Sequence, residues 1–390
     1  MKPITEPDIA SHPFQLQRLG VVMEPEPGNP MEVEGVLNPA SARGRDGQLY
    51  LFPRLVARGN YSRIGIARVR FNEAGDPVGA ERLGIALEPE ADYELRPDGG
   101  GCEDPRITFI EPLQRFVMTY TALSSRGPRI ALAMSEDLFQ WERLGLAIFM
   151  PYEDVDFNDV ANKDALLFSV AIPDPDGQPA MALIHRPLFP GTGPDETIHC
   201  RLPRVVDILR ESIWISYHSL VNEVCDKHHH LCHFDSHRRL ATPVAPWEQL
   251  KIGGGSPPIL TPQGWLFLYH GVSEALNRSR AEPGLEIARG LPESAGKLSY
   301  SAGLLMLDEK RPHLIRYRSP EPVLTPELPK EREGIVSNVV FPTAIDRRDD
   351  LGLPGRFDVY YGMADNRIGV ARLDLPEHLM NGSGSMAPAK

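Results

Sequence analysis

Five stretches of this chain share one design: Arg63-Ile64-Gly65-Ile66-Ala67-Arg68-Val69, Arg129-Ile130-Ala131-Leu132-Ala133-Met134, Ser212-Ile213-Trp214-Ile215-Ser216-Tyr217, Tyr300-Ser301-Ala302-Gly303-Leu304-Leu305-Met306 and Arg367-Ile368-Gly369-Val370-Ala371-Arg372-Leu373. Each carries the apolar alternation of a β-strand, and they recur at intervals of roughly 65 to 90 residues. The first, second and last share the cadence Arg-Ile-small-apolar-Ala, and each follows a partner strand: Leu49 to Leu55, Phe116 to Tyr120, Phe357 to Tyr361. With 38 prolines and 34 glycines and little helical periodicity, the chain reads as all-β with many turns. A long, fixed period of several strands points to a propeller. The alternative is a pair of β-sandwiches, whose strand spacing is normally shorter.

At 390 residues and 42% hydrophobic, the chain can bury one large core or two smaller ones. Residues 1–30, rich in proline and acids, read as an N-terminal arm, residues 31–376 as the repeat domain, and residues 377–390, with Asn381-Gly382-Ser383-Gly384-Ser385, as a disordered tail. The irregular segments Pro151 to Asn162 and Arg278 to Lys297 are expected to be loops at a rim, where such segments shape access. The first residues hold no apolar leader and no run is long enough to span a membrane, so a soluble cytoplasmic protein is expected. Four cysteines are too few for a disulfide scaffold of this size. A formal net charge of -12 disfavours nucleic acid or an anionic membrane as partner, while leaving room for a local basic pocket. A homo-oligomer is left open.

Chemistry concentrates in Gly99-Gly100-Gly101-Cys102-Glu103-Asp104-Pro105-Arg106. Glycines permit close approach of backbone and ligand, and Pro105 restricts Asp104 to extended or turn geometry, which is how a catalytic acid is held in place. The bland alternative is a tight turn with a solvated acidic tip. Further along come Lys251-Ile252-Gly253-Gly254-Gly255-Ser256-Pro257-Pro258, Gly264-Trp265-Leu266, Tyr269-His270-Gly271-Val272, Asn338-Val339-Val340-Phe341-Pro342 and Tyr360-Tyr361-Gly362-Met363-Ala364-Asp365.

In this order the motifs resemble those of glycoside hydrolase family 130, the inverting β-mannoside phosphorylases and their hydrolase relatives, over about Asn38 to Leu373. The resemblance implies a five-bladed β-propeller with its site in the central depression. It implies phosphorolysis of β-mannosides (mannobiose, mannooligosaccharides, or mannosyl-glucose and mannosyl-N-acetylglucosamine) to α-mannose 1-phosphate. Inorganic phosphate is a co-substrate and no cofactor or metal is needed. Because phosphate is already a nucleophile, one acid and a basic clamp replace the two carboxylates of an inverting hydrolase.

On this resemblance Asp104 is the general acid, its proton passing through a sugar hydroxyl. Lys163, Arg186, His270 and Tyr300 hold phosphate. Asn38, Arg54, Arg63, Glu103, Lys251, Phe341 and Asp365 contact sugar or support the site, with Arg106 pinning a carboxylate, and with Phe341 and, by position only, Tyr93 offering a stacking face. One departure is Asn162-Lys163-Asp164, where family phosphorylases carry arginine then asparagine: lysine is a point charge instead of a fork, and an inward Asp164 would repel phosphate. A hydrolase on the same scaffold would use Glu223, Asp226 or Asp164 to activate water, and a non-catalytic carbohydrate-binding propeller would leave Asp104 idle. Separately, Cys225-Asp226-Lys227-His228-His229-His230-Leu231-Cys232-His233-Phe234-Asp235-Ser236-His237 has metal-ligating residue types but no finger spacing. Consecutive histidines on a strand face opposite ways, so a rim loop donating to sugar or phosphate is expected.

Overall fold

In the computed structural model, the described residues are residue 14 and residues 16–151, 156–188, 211–220, 231–275 and 298–376. Almost all regular structure is β; the helices among them are short, the α-helical one spanning only Pro329–Arg332.

Apart from four strands of two or three residues, the strands of the described residues fall into five successive four-stranded units. The first is Gly35–Arg43, Leu49–Ala57, Tyr61–Phe71 and Pro77–Leu87. The second is Gly99–Ile110, Arg115–Ser124, Gly127–Ser135 and Glu142–Leu146. Next come Ala161–Leu167, Pro179–Leu188, Ile213–Ser219 and His233–Ala241, then Lys251–Gly254, Gly264–Glu274, Leu298–Leu307 and Ile315–Arg318. The fifth holds Val340–Arg347, Arg356–Met363 and Arg367–Asp374, and its fourth strand is Leu16–Met23 from the start of the chain, antiparallel to Arg367–Asp374. The stretch expected as an arm therefore contributes an integral strand, because Leu16, Val22 and Met23 find apolar cover there. Within each unit neighbouring strands are antiparallel, and short parallel contacts such as Tyr61–Gly100 and Tyr300–Val339 stitch one unit to the next.

All five repeats seen in the sequence are third strands, and the structure explains their cadence. The small residue lies beneath a large side chain of the second strand: Gly303 pairs with Tyr269 and Gly369 with Tyr361. A Cβ at Gly369 would stand 2.7 Å from the Tyr361 ring, closer than real side chains pack.

Five apolar clusters lie between units, not within them. Tyr50, Phe52, Met118 and Tyr120 join the first to the second. Val117, Leu132, Leu183 and Trp214 join the second to the third, and Ile184, Ile215, Trp265 and Leu305 the third to the fourth. Leu268, Leu304, Val359 and Tyr361 join the fourth to the fifth. Finally Val36, Leu51, Tyr360 and Val370 join the fifth back to the first. A sheet covered on both faces has no solvent side, which is why Arg356–Met363 is buried at every position.

A buried glutamate repeats with the units. Glu331 accepts from Arg18 (2.8 Å), from the Tyr361 hydroxyl (2.9 Å) and from the backbone N–H groups of Glu327 and Leu328. Glu248 does the same with Arg318, Tyr269, Val244 and Ala245, and Glu94 with Arg143, Tyr120, Glu90 and Ala91. Each glutamate thus ties the turn before a unit to that unit's second and fourth strands.

Candidate active site

The first strands of four units each carry part of the site: Asn38, then Glu103 and Asp104, then Lys163 and Asp164, then Lys251. In three of them an Asx residue sits in the left-handed region at a break in the ladder: Asn38 (φ 42°), Asp104 (φ 46°) and Asp164 (φ 54°), with register shifts between Leu37 and Ala40, Glu103 and Arg106, and Lys163 and Leu166. Asn and Asp tolerate this backbone because their short polar side chains bond locally, and a bulge re-aims the side chain it carries. Asp104 is therefore neither extended nor free, although proline follows it.

Asp104 keeps 13% of its side-chain surface exposed. Its Oδ1 accepts from Asn38 Nδ2 at 3.0 Å and faces an Arg54 nitrogen at 3.4 Å. Arg54 also donates to Glu103 (2.6 Å), Asn60 (2.9 Å) and Ser62 (2.9 Å). A Cβ at Gly362 would collide with Asn38 Oδ1, so glycine is required behind this contact. Asp365 occupies the hairpin turn after Arg356–Met363, at φ 47°. Burial, and then the neighbouring Asp104 charge, push its carboxyl up to about 6 against the pull of Arg54.

Opposite lies a cationic group. Lys163 and Arg186 are direct cross-strand partners. Arg186 Nε donates to Asp164 Oδ2 at 2.6 Å, and its Nη1 is ion-paired with Glu211. His270 Nε2 is 3.9 Å from the same Asp164 oxygen. A Cβ on Gly253 would fall against Asp164, His270 and Arg186 together, so this glycine lets three buried side chains converge. Asp164 is held below the usual carboxylate range: burial opposes ionisation, and the neighbouring positive charges, Arg186 first and then Arg106, overcome it. Burial lowers His270 to about 3, so it is a neutral imidazole; its Nδ1 is buried without a hydrogen-bond partner among the described residues. Lys251 lies over the Tyr300 ring (5.7 Å), and burial, then Arg186, lower it to about 8. Tyr300 stacks on His270 at 5.9 Å. Glu103 connects the two halves, pairing with Arg54 through Oε1 and facing Lys163 Nζ at 4.0 Å through Oε2.

Asp104, Asn38, Arg54, Glu103 and Asp365 are thus brought together, and so are Lys163, Arg186, His270, Tyr300 and Lys251. Other expectations are corrected. Arg63 forms a fork pair with Glu88 (2.7 and 2.9 Å); it pairs with Leu55 while Arg54 pairs with Ile64, which puts the two arginines on opposite faces. Phe341 is only 8% exposed, covered by the His270 edge at 4.6 Å and by Arg106 at 5.6 Å, and offers no open stacking face. Arg106 pins backbone instead of a carboxylate, donating to Gly255 O (2.5 Å), Asp104 O (2.9 Å) and Pro105 O (3.1 Å). Tyr93 packs with the cluster of Cys102 and Tyr120.

The histidine stretch is not a rim loop where it is described. Residues 233–241 are a strand, Cys232 lies in the apolar core, and His237 bonds Ser216 Oγ (2.7 Å) and Met150 O (2.8 Å). Ser216 also meets His185 Nε2 at 2.7 Å, in a buried polar chain that no motif announced. Glu223, Asp226 and His228 to His230 lie outside the described residues. Nothing in the sequence marked Glu211. A cavity of about 560 Å³ opens at the downstream ends of the same first strands, lined by Arg43, Thr108, Phe109 and Asp346 among others, and holds none of these site residues.

A family model described as β-1,4-mannooligosaccharide phosphorylase matches residues 4–382. The chain belongs to glycoside hydrolase family 130. Within that family it is 29% identical to a 1,2-β-oligomannan phosphorylase of Thermoanaerobacter sp. (strain X514), over 93% of this chain and 99% of the relative. It is 28% identical to a β-1,2-mannobiose phosphorylase of the same organism, over 79% of this chain and 78% of that one. The fold matches the β-1,2-mannobiose phosphorylase of Listeria innocua solved with β-1,2-mannobiose, with a TM-score of 0.63 at 21% identity, covering 92% of this chain and 97% of that structure.

Proposed function

We propose that this chain is an inverting β-mannoside phosphorylase that releases α-mannose 1-phosphate. The observation that carries this is the pairing of one accessible carboxylate, Asp104, with a group of cations, Lys163, Arg186 and Lys251, across the Glu103 bridge. Asp104 gives its proton to the leaving oxygen, by way of a sugar hydroxyl as the family implies. Asn38 and Arg54 already point donors at the oxygen where charge then develops, so no reorganisation is needed. Phosphate, held by the cations with Tyr300 and the neutral His270, attacks the anomeric carbon from the other side; the C–O bond to the departing sugar breaks as the C–O–P bond forms. Asp365, near Asp104, is an acceptor for mannose hydroxyls.

The scaffold we infer is a single five-bladed propeller with its last blade completed by Leu16–Met23. In support are the five units and the apolar clusters that run from each to the next and from the fifth to the first. A cytoplasmic setting is supported by the free, buried thiols of Cys102 and Cys232. No described helix is long and apolar enough to cross a membrane.

A second reading has its own observation: Asp164 and Glu211 place two carboxylates inside the clamp, and one of them could activate water. A solved structure 23% identical to this chain is described by the statement that this family of mannoside phosphorylases contains glycoside hydrolases that target β-1,2 mannosidic linkages in Candida mannan. Incubation with β-1,2- and β-1,4-mannobiose, with and without phosphate, separates the possibilities. The phosphorylase forms mannose 1-phosphate, saturates with phosphate, and runs backwards from mannose 1-phosphate and acceptor. The hydrolase releases mannose equally without phosphate, and a non-catalytic binding protein releases nothing.

A further inference from the structure

We propose that Asp164 makes the anion clamp selective for oxyanions that carry a hydroxyl, phosphate above all, and turns sulfate away. The inference rests on the reading of Lys163, Arg186, His270, Tyr300 and Lys251 as an oxyanion site.

A carboxylate among cations looks like a flaw in a phosphate site, yet Asp164 is built in. It is buried, mounted on a left-handed bulge, and bonded to Arg186 Nε through Oδ2. The absence of a Cβ at Gly253 is what makes room for it beside His270 and Arg186. Among the described residues Oδ1 receives no hydrogen bond, and the one ion pair of Asp164 is that to Arg186, with the neutral His270 Nε2 3.9 Å from Oδ2. The neighbouring cations keep it ionised despite burial. An ionised carboxylate can only accept.

Near neutral pH inorganic phosphate retains at least one P–OH, as arsenate retains As–OH, whereas sulfate has only acceptor oxygens. A P–OH donated to Asp164 makes a charge-assisted O–H···O⁻ bond, while a sulfate oxygen in the same place sets two unpaired acceptors against each other in a buried site. Sites built to bond a substrate hydroxyl reject analogues that lack it by large factors. The same bond orients the nucleophile: with the protonated oxygen on Asp164, the unprotonated oxygens are left for the cations and the anomeric carbon.

The test measures phosphorolysis of β-1,2-mannobiose with phosphate, arsenate and sulfate as competing anions. In the unaltered enzyme arsenate replaces phosphate at concentrations within about tenfold, and sulfate inhibits only at concentrations on the order of 10²-fold above the phosphate KM. Asp164→Asn, whose amide can donate, brings sulfate inhibition within about tenfold of phosphate. Sulfate inhibiting the unaltered enzyme near the phosphate KM overturns the proposal, and so does an unchanged sulfate-to-phosphate ratio in a folded Asp164→Asn enzyme. The comparison of three anions on the unaltered enzyme stands even where the variant does not fold. Titration calorimetry of the same anions on the resting protein separates this from the phosphorylase reading. If cleavage proves independent of phosphate, that reading fails; binding of phosphate and arsenate without sulfate still supports the selectivity, and equal binding of all three, or of none, sinks it.

Discussion

Gly253→Ala tests the clamp through its tightest point. Gly253 lies outside the left-handed region, so alanine adds only a methyl group. That methyl would fall against Asp164 Oδ2 and His270 Cε1 and 2.7 Å from Arg186 Nε. Carbon makes unstrained contact at about 3.5 Å or more, so each of the three groups must retreat by roughly 1 Å. None is the loose end of an exposed side chain: Asp164 is 5% exposed, Arg186 5% and His270 1%. Forced overpacking of this kind costs about 1–3 kcal/mol of stability. The functional cost is expected to be larger, because displacing positioning groups by about 1 Å can lower rates on the order of 10²-fold. Initial rates at varied phosphate and varied disaccharide, together with thermal unfolding, read both effects. The loss should fall on the phosphate KM and on kcat, with little change in disaccharide KM. Gly355→Ala is the control, since among the described residues the one atom within 4 Å of its Cβ is Leu375 O at 3.3 Å. A Gly253→Ala enzyme with unaltered phosphate KM and unfolding temperature would refute the convergence of Asp164, His270 and Arg186 at this glycine.

Asp104→Asn should lower turnover by on the order of 10²-fold or more, the usual worth of a general acid, while melting stays close to that of the parent; near-normal kcat removes Asp104 from the role. Lys251 sits at about 8, so its charge is complete below that pH and lost above it, and the phosphate KM should climb between about pH 7 and about pH 10. Lys251→Gln should flatten that climb, and a parent enzyme with a pH-independent phosphate KM would show that Lys251 takes no part. Glu331→Ala removes the acceptor of the Tyr361 hydroxyl and of two backbone N–H groups, and leaves Arg18 with Glu327 and Thr325 O. Breaking a buried pair typically costs about 3–5 kcal/mol, readable by denaturant titration, and a loss below about 1 kcal/mol would show that the glutamate does not anchor the last unit.

Much of the scaffold was legible in the chain because it depends on neighbours in sequence. Strand alternation, the five-fold spacing and the small residue of the third strand are local consequences of a pleated sheet whose second strand carries a bulky side chain. The constrained backbone at Asp104 was legible too, since Gly-rich sequence followed by Asp-Pro limits it, although the left-handed bulge was not. What tertiary structure alone decided is which side chains meet. Arg63 and Arg54 look equivalent in sequence, and register sends one to Glu88 and the other to Asp104. Leu16–Met23 carries no mark of belonging to the last sheet, because its partner strand lies at the far end of the chain. Glu211 and Asp164 gain their meaning from Arg186, and Asp164 could be judged hostile to phosphate until its burial and its bond to Arg186 were seen. Sequence fixes residue types and local backbone preference; the facing of a side chain depends on register and bulges, and its charge state on neighbours that only the packing of one unit against the next brings within a few ångströms.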